Sequence, residues 1–263
     1  MKWTPDKIKS LKNKDKWIAL TAYDSITAKW SDDEAIPLIL VGDSLGMTTL
    51  GYESTLPVTM DDMLHHTKAV TRSVDKALVV ADMPFMSYQS SVEDGIRNAG
   101  LFIKDGNADA VKIEGGIFRS QLIESLVNNG IPVLGHIGLT PQSIKQIGGY
   151  KVQGKTDLDH QKIINDALAI EKSGAFAVVL ECIPKKLSKK ISDIISIPTI
   201  GIGAGPDCDA QIIVISDLLG FTNKSLPKFA KHYVDICSLS KNAIQRFKND
   251  VLNNNFPNDE QSY

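Results

Sequence analysis

Four apolar stretches of the chain end in a carboxylate, and this pattern constrains the fold more than any other feature. The stretches are residues 38–43, 79–82, 111–114 and 178–181, and their terminal acids are Asp43, Asp82, Glu114 and Glu181. An apolar run that breaks abruptly is typical of a strand buried on both faces, as in a parallel sheet. A carboxylate at the end of such a strand costs desolvation energy unless it is paired. The four acids therefore predict an active-site rim at the carboxyl ends of parallel strands.

Strand-like and helix-like segments alternate along most of the chain. We expect eight strands, at residues 17–24, 38–43, 77–82, 110–114, 132–135, 176–181, 198–203 and 212–216. We expect helices at residues 5–13, 25–31, 59–72, 91–104, 117–129, 157–173, 188–196 and 227–251. Eight such strands within about 200 residues predict one (β/α)₈ barrel, the TIM-barrel class of α/β fold. This domain would span residues 1–263, with a flexible tail from about residue 253.

An open, doubly wound sheet is the alternative fold. That fold normally carries a glycine-rich fingerprint directly after its first strand. Here the first strand leads into Tyr23, Asp24 and Ser25, which do not form such a fingerprint. The barrel is therefore the favoured prediction.

Composition restricts the classes of partner. The formal net charge of −2 provides no electrostatic footprint for nucleic acid or anionic lipid. Three cysteines, Cys182, Cys208 and Cys237, fit neither a disulfide framework nor a zinc site, which favours a reducing compartment. The first residues lack the apolar core of a signal peptide, and no apolar run of about 18 residues occurs. We therefore expect a cytoplasmic protein that acts on small molecules, without nucleic-acid or membrane partners.

Three of the terminal acids suggest a metal site. Asp43, Asp82 and Glu114 end three successive strands, so they would be neighbours on the rim of a barrel. Carboxylates without accompanying cysteine or histidine are hard oxygen ligands, which suit Mg²⁺ or another hard divalent ion better than zinc. The alternative is that these acids cap the following helices, a role for which Glu114 is poorly suited. The hypothesis is a magnesium site on the rim.

Three further side chains are candidates for catalysis. Lys112 lies two residues before Glu114 and so on the same face of its strand, where an ammonium needs anionic partners. Those partners are either a substrate carboxylate or enolate oxygen, or the neighbouring acids alone. Glu181, at the far side of the rim, is either a general base or a solvated strand-end acid. His136, expected just past the fifth strand, is either a hydrogen-bond donor to substrate or structural.

Seven motifs occur together in a fixed order, at residues 21–24, 41–47, 81–85, 111–116, 135–142, 180–181 and 201–205. With these motifs the chain resembles the ketopantoate hydroxymethyltransferase (3-methyl-2-oxobutanoate hydroxymethyltransferase) family. The resemblance implies a (β/α)₈ barrel of the phosphoenolpyruvate-mutase-like superfamily. It implies transfer of a hydroxymethyl group from 5,10-methylenetetrahydrofolate to 3-methyl-2-oxobutanoate, which gives 2-dehydropantoate in pantothenate biosynthesis. It also implies a homodecamer.

The resemblance assigns roles to individual residues. It implies that Asp43 and Asp82 hold Mg²⁺ directly, with Glu114 in or next to the coordination shell. It implies that Glu181 is the base and that the oxo acid is bound by Asp43, Ser44, Asp82 and Lys112. The folate would lie near the loops at residues 46–59 and 138–156. Two rival functions stay open: a metal-dependent lyase or mutase with the same rim, and a binding barrel without catalytic activity.

Overall fold

Eight parallel strands close into a barrel in the computed structural model, which describes residues 2–221 and 225–263. The strands are β1 (Trp17–Thr21), β2 (Leu38–Val41), β3 (Leu78–Asp82), β4 (Ala110–Glu114), β5 (Val133–Gly138), β6 (Ala177–Glu181), β7 (Thr199–Ile202) and β8 (Ala210–Ile213). Each strand pairs with the next in the chain, and β8 returns to pair with β1. The predicted (β/α)₈ barrel is confirmed, and the open doubly wound sheet is wrong.

The helices follow the strands and begin at recognisable caps. They are α1 (Pro5–Lys9), α2 (Ser25–Asp33), α3 (Leu45–Thr48), α4 (Met60–Thr71), α5 (Val92–Lys104), α6 (Ser120–Asn128), α7 (Ile144–Ile147), α8 (Asp157–Lys172), α9 (Lys185–Ile194), α10 (Ile215–Leu219) and α11 (Ile236–Leu252). Thr59 and Asp62 form a reciprocal capping box at the start of α4, and Ser91 accepts from the main chain of Asp94 at the start of α5. The helices predicted from residues 59 and 91 therefore begin at these two caps.

Alternate residues of each strand fill the barrel with apolar side chains. In β3, Leu78 and Val80 belong to the central core cluster, and the next inward position is Asp82. Ile8 of α1 is fully buried in the same cluster, and residues around α1 bond to the chain just before β3 and β8. The amino-terminal end of the barrel is therefore covered, and the polar inward side chains lie at the carboxyl end.

Several boundaries differ from the sequence predictions. The last strand is Ala210–Ile213 rather than residues 212–216, because Ala210 already pairs with Trp17 and α10 begins at Ile215. The helix predicted from residue 227 begins instead at Ile236, because the Asp235 carboxylate caps it by accepting from the main-chain N–H of Ser238. The helix predicted at residues 188–196 is Lys185–Ile194, and the one predicted at residues 5–13 ends at Lys9.

The chain divides into two compact units, which are Met1–Val214 and Ile215–Tyr263. The first unit holds all eight strands of the barrel, and the second holds α10 and α11. The expectation of one domain with a flexible tail from about residue 253 stays a prediction. In the part of the chain that the structure describes, no helix has the length and apolar character needed to cross a bilayer.

Candidate active site

Lys112 lies within a cluster of buried carboxylates at the carboxyl ends of β3 and β4. Asp82 and Lys112 stand side by side in the register of these strands, and Lys112 Nζ lies 3.0 Å from Asp82 Oδ1. The same nitrogen lies 3.7 Å from Glu114 Oε1, and all three side chains are at most 5% exposed. Lys112 and Glu114 thus share the inward face of β4, as the period of two predicts.

Main-chain N–H groups hold one oxygen of each of two acids. Asp82 Oδ2 accepts from the N–H of Asp43 at 3.0 Å, and Glu114 Oε2 accepts from the N–H of Gln142 at 3.0 Å. The second oxygen of Asp82 lies at ion-pair distance from Lys112, and Glu114 Oε1 lies 3.7 Å from Lys112 Nζ and 3.5 Å from His136 Nδ1. One carboxylate oxygen is therefore fixed in each acid and the other is directed into the cluster.

Asp43 completes the cluster from β2. Its Oδ2 accepts from the Gln142 side-chain Nε2 at 3.0 Å, and the residue is 4% exposed. Burial, together with the charges of Asp82 and Glu114, raises the pKa of Asp43 well above its usual value. Burial also raises the pKa of Asp82, although the Lys112 ammonium opposes this shift. The Lys112 ammonium therefore does not cancel the effect of burial on the pKa of Asp43 and Asp82.

For Glu114 and Lys112, the neighbouring charges outweigh the effect of burial on the pKa. Burial favours the neutral form of Glu114, but the Lys112 ammonium and His136 outweigh it and lower the pKa of this carboxyl. Burial likewise favours neutral Lys112, but Asp82 and Glu114 outweigh it and raise the pKa of the ammonium. Lys112 is therefore a permanent cation at neutral pH.

The donor set fits a hard divalent cation. Among the described residues, no three His, Cys, Asp or Glu side chains form a ready-made metal cage. Lys112 lies at ion-pair distance from two of the three acids. The raised pKa values of Asp43 and Asp82 indicate that this one ammonium does not stabilise all three acids in their charged form, and the donors of the acids are oxygens. Oxygen donors with excess negative charge suit Mg²⁺.

His136 connects the cluster to Glu181 on the neighbouring strand β6. The histidine lies inside β5 and not past its end, because Glu114 pairs with His136 and Gly138 pairs with Glu181 in the strand register. His136 Nε2 lies 3.0 Å from Glu181 Oε2, and Nδ1 lies 3.1 Å from Lys112 Nζ and 3.5 Å from Glu114 Oε1. The Glu181 side chain is 15% exposed and has His136 as a partner.

The protonation of His136 follows from these contacts. Burial and Lys112 lower its pKa, but hydrogen bonds to Glu114 and Glu181 outweigh them and raise the pKa of His136 to about 9. A neutral ring that accepts from Lys112 at Nδ1 carries its proton on Nε2, and the cationic ring carries a proton there as well. In either state the Nε2–H group faces the Glu181 carboxylate.

Ser44 lies beside Asp43 at the mouth of the barrel. Its hydroxyl shares a hydrogen bond of 2.8 Å with the Tyr23 hydroxyl, which also accepts from Thr21 Oγ1 at 3.0 Å. Ser44 is therefore held in place by a tyrosine of the first βα connection.

Cys182 follows Glu181 in the chain. Burial and the neighbouring Glu181 raise the pKa of the Cys182 thiol to about 11, so this cysteine stays protonated and is no nucleophile.

Two residues of the site have no signal in the sequence alone. The Gln142 side chain bonds to Asp43, and its amide oxygen accepts from the buried Tyr88 hydroxyl at 2.7 Å. Gln142 appears in the sequence only inside a motif, and neither residue type at such a position indicates a role. Their contribution depends on the path of two loops.

The fold and rim define a (β/α)₈-barrel protein whose buried acidic site lies at the carboxyl ends of the strands, the face that carries active sites in this class. The barrel is similar to that of 2,3-dimethylmalate lyase, a PEP mutase/isocitrate lyase superfamily member, with a TM-score of 0.60, 14% identity and coverage of 100% of this chain and 89% of that one. It is also similar to phosphonopyruvate hydrolase in complex with oxalate and Mg²⁺, with a TM-score of 0.60, 13% identity and coverage of 92% and 97%. These likenesses establish the fold.

Sequence comparison gives the family. The model of the ketopantoate hydroxymethyltransferase family matches residues 2–259. The chain is 51% identical to 3-methyl-2-oxobutanoate hydroxymethyltransferase of Syntrophus aciditrophicus (strain SB), over 100% of this chain and 97% of the relative. It is 54% identical to the enzyme of that name from Clostridium novyi (strain NT), over 97% and 93%. The chain belongs to the ketopantoate hydroxymethyltransferase family, as its motifs indicate.

Proposed function

We propose that this chain transfers a hydroxymethyl group from 5,10-methylenetetrahydrofolate to 3-methyl-2-oxobutanoate, giving 2-dehydropantoate in pantothenate biosynthesis. The observation that carries the proposal is the buried cluster of Asp43, Asp82, Lys112 and Glu114 in a chain of this family. A 2-oxo acid presents a carboxylate and a keto oxygen side by side. The cluster offers an ammonium and cation-binding acids at matching positions on one rim.

In this proposal Asp43 and Asp82 hold Mg²⁺, and Glu114 lies in or next to its coordination shell. The buried excess of negative charge supports this assignment, as does the Mg²⁺ found with oxalate in the phosphonopyruvate hydrolase structure. When bound, the ion supplies Lewis acidity toward the oxygens of the oxo acid, which lowers the cost of negative charge on them by several kcal/mol.

The protein's own residues bind and orient the oxo acid. We place it against Asp43, Ser44, Asp82 and Lys112. The Lys112 ammonium stabilises the negative charge that develops on oxygen when the C3 proton leaves. The Ser44 hydroxyl, held by Tyr23, donates to the substrate from the mouth of the barrel.

Glu181 is the base in this proposal. Its carboxylate takes the proton from C3, and His136 orients it through the contact of 3.0 Å between Nε2 and Oε2. The electron pair left on C3 forms a bond to the methylene carbon carried by folate. The methylene carbon is joined to two folate nitrogens: its bond to one breaks as the carbon–carbon bond forms, and water then displaces the other and supplies the hydroxyl oxygen of the product. Each released nitrogen takes up a proton, one from Glu181 and one from the water. We place the folate near the loops at residues 46–59 and 138–156.

Family membership also leads us to propose a homodecamer located in the cytoplasm. The formal charge of −2 agrees with small-molecule substrates and provides no electrostatic footprint for nucleic acid or anionic lipid. These statements rest on the family and on composition.

A lyase or mutase reaction is the competing function, because the similar barrels include 2,3-dimethylmalate lyase. A product assay separates the possibilities. The protein is incubated with Mg²⁺ and 3-methyl-2-oxobutanoate, with and without methylenetetrahydrofolate, and the products are identified by mass spectrometry. We expect 2-dehydropantoate only when both substrates are present. Carbon–carbon bond cleavage of a 2-oxo acid or 2-hydroxy acid without folate would indicate a lyase, and no turnover of any substrate would indicate a binding barrel.

A further inference from the structure

One glutamine contacts two of the three acids of the site and belongs to neither of their strands. Gln142 lies in the short 3₁₀ turn Pro141–Ser143 after β5 and is 4% exposed. Its main-chain N–H donates to Glu114 Oε2 at 3.0 Å, and its side-chain Nε2 donates to Asp43 Oδ2 at 3.0 Å. A single residue thereby links the acid after β2 to the acid at the end of β4.

The orientation of the Gln142 amide is fixed by its other partners. Nε2 also donates to the main-chain oxygen of Met83 at 2.9 Å, and a carbonyl oxygen can only accept. On the other side, Oε1 accepts from the Tyr88 hydroxyl at 2.7 Å and from Gln89 Nε2 at 3.0 Å. The amide cannot be reversed without placing two acceptors together. Its N–H groups are therefore always directed at Asp43 and Met83.

The loop that carries Gln142 is anchored where it leaves β5. Gly138 has a φ of +93°, and a Cβ there would lie 2.3 Å from the main-chain oxygen of Glu181. Leu139 then donates its N–H to the same oxygen at 2.8 Å. Because its loop is anchored and the direction of its amide is fixed, Gln142 holds Asp43 Oδ2 through the hydrogen bond from Nε2.

We propose that Gln142 is a positioning residue for the cation site, fixing the Asp43 carboxylate through its side chain and Glu114 through its main chain. This inference rests on the proposed binding of Mg²⁺ by Asp43 and Asp82. Removing an outer group that orients a metal-binding carboxylate lowers metal affinity about 10–100-fold. The Gln142 main chain bonds to Glu114 Oε2, so Glu114 Oε1 stays directed at Lys112 and His136.

The test measures Mg²⁺ affinity directly. Gln142→Met keeps the length of the side chain and removes both donors to Asp43 and Met83, while the main-chain bond to Glu114 is retained. Isothermal titration calorimetry with MgCl₂ gives Kd for the wild type and the variant, and electron paramagnetic resonance with Mn²⁺ gives an independent value. Gln161→Met, on α8, is the matched control, because the Gln161 amide bonds only to Asn165 on the outer surface in the described structure.

We expect the Kd for Mg²⁺ to rise about 10–100-fold in Gln142→Met and to stay unchanged in Gln161→Met. Saturating Mg²⁺ should then recover much of kcat in Gln142→Met, which a merely structural defect would not allow. If the wild type binds Mg²⁺ and Gln142→Met binds it within about twofold, Gln142 has no positioning role and the inference is overturned. If the wild type itself binds no Mg²⁺, the proposed metal site fails and the inference fails with it, a distinct result.

A second variant keeps the test decisive if Gln142→Met does not fold. Tyr88→Phe removes the hydroxyl that donates to Gln142 Oε1 and accepts from the Glu114 N–H, without touching either cation-binding carboxylate. Gln89 still donates to the amide oxygen, so a smaller loss of Mg²⁺ affinity is expected, about threefold or more. An unchanged Kd in folded Tyr88→Phe would overturn the inference.

Discussion

Replacing Glu181 by glutamine removes the proposed base and keeps the size of the side chain. The amide oxygen can still accept from His136 Nε2, which lies 3.0 Å from Glu181 Oε2, so we expect the barrel to be retained. Loss of a general base lowers the rate of proton transfer about 10²–10⁴-fold. At 1.36 kcal/mol for each factor of ten, this raises the activation free energy by about 2.7–5.4 kcal/mol. Binding of Mg²⁺ and of the oxo acid should change little.

The assay isolates proton removal from the later bond formation. The protein is incubated with Mg²⁺ and 3-methyl-2-oxobutanoate in D₂O without folate, and loss of the C3 proton signal is followed by ¹H NMR. The wild type should exchange this proton for deuterium, and Glu181→Gln should do so about 10²–10⁴-fold more slowly. Glu124→Gln makes the same chemical change at an exposed position of α6 and should exchange at the wild-type rate.

Exchange by Glu181→Gln at the wild-type rate would refute the role of Glu181, and His136 would become the better candidate. A further variant tells loss of the base from loss of the cation. Asp43→Asn removes one of the proposed magnesium ligands, so its exchange should also be slow but should recover in part at high Mg²⁺. The Glu181→Gln variant should not recover at any Mg²⁺ concentration, because its defect is the missing proton acceptor.

Three other outcomes are expected. Excess chelator should abolish turnover, and added Mg²⁺, Mn²⁺ or Co²⁺ should restore it; full activity in chelator would exclude the metal role. Light scattering at micromolar protein should give the mass of a decamer, and a monomer mass would contradict the proposed assembly. Asp32→Asn should lower the free energy of unfolding by about 1.5–3 kcal/mol, measured by thermal melting against Asp33→Asn, because the buried Asp32 carboxylate accepts from three main-chain N–H groups. Burial favours the neutral form of Asp32, but the N–H groups of Ala77, Asp75 and Lys76 outweigh it and lower the pKa of this carboxyl. The difference in unfolding free energy between the wild type and Asp32→Asn should therefore persist at neutral pH and disappear as the pH falls through the pKa of Asp32 in the folded protein.

The barrel could be predicted because most of its strands are buried on both faces and so read as continuous apolar runs. The eighth strand was misplaced because it lacks such a continuous apolar run. Gln211, the second residue of β8, is exposed and interrupts the apolar run, so the pattern shifts the strand toward Ile212. The helix after residue 227 began too early in the prediction because its start depends on one capping carboxylate, that of Asp235.

The position of His136 illustrates a different error. The sequence predicts that β5 ends at Gly135, because glycine weakens the interior of a strand. In the structure this glycine has a packing role, since a Cβ there would lie 2.6 Å from the Ile170 side chain of α8. The strand therefore continues, and His136 occupies an inward position opposite Glu114. A close approach between helix and strand cannot be read from a single sequence.

The acids of the site could be located from the sequence because their positions follow from strand periodicity alone. Gln142 could not, because its role requires contact with Asp43 across 99 residues of chain. Such a contact depends on the path of the loop after β5, for which the sequence between Gly138 and Thr156 supplies no periodic pattern. Strand-borne groups are thus predictable, whereas groups delivered by loops need coordinates.

The electrostatics of the cluster support a cation by a route independent of the ligand types. A buried carboxylate beside a lysine normally has a lowered pKa, because the ammonium favours the charged form. Glu114 follows this rule, but the pKa of Asp82 is raised although Lys112 Nζ lies only 3.0 Å away. The first reason is burial, and the second is the neighbouring charge of Glu114, which opposes the effect of Lys112. A divalent cation held by Asp43 and Asp82 would favour their ionised forms without requiring another buried side chain.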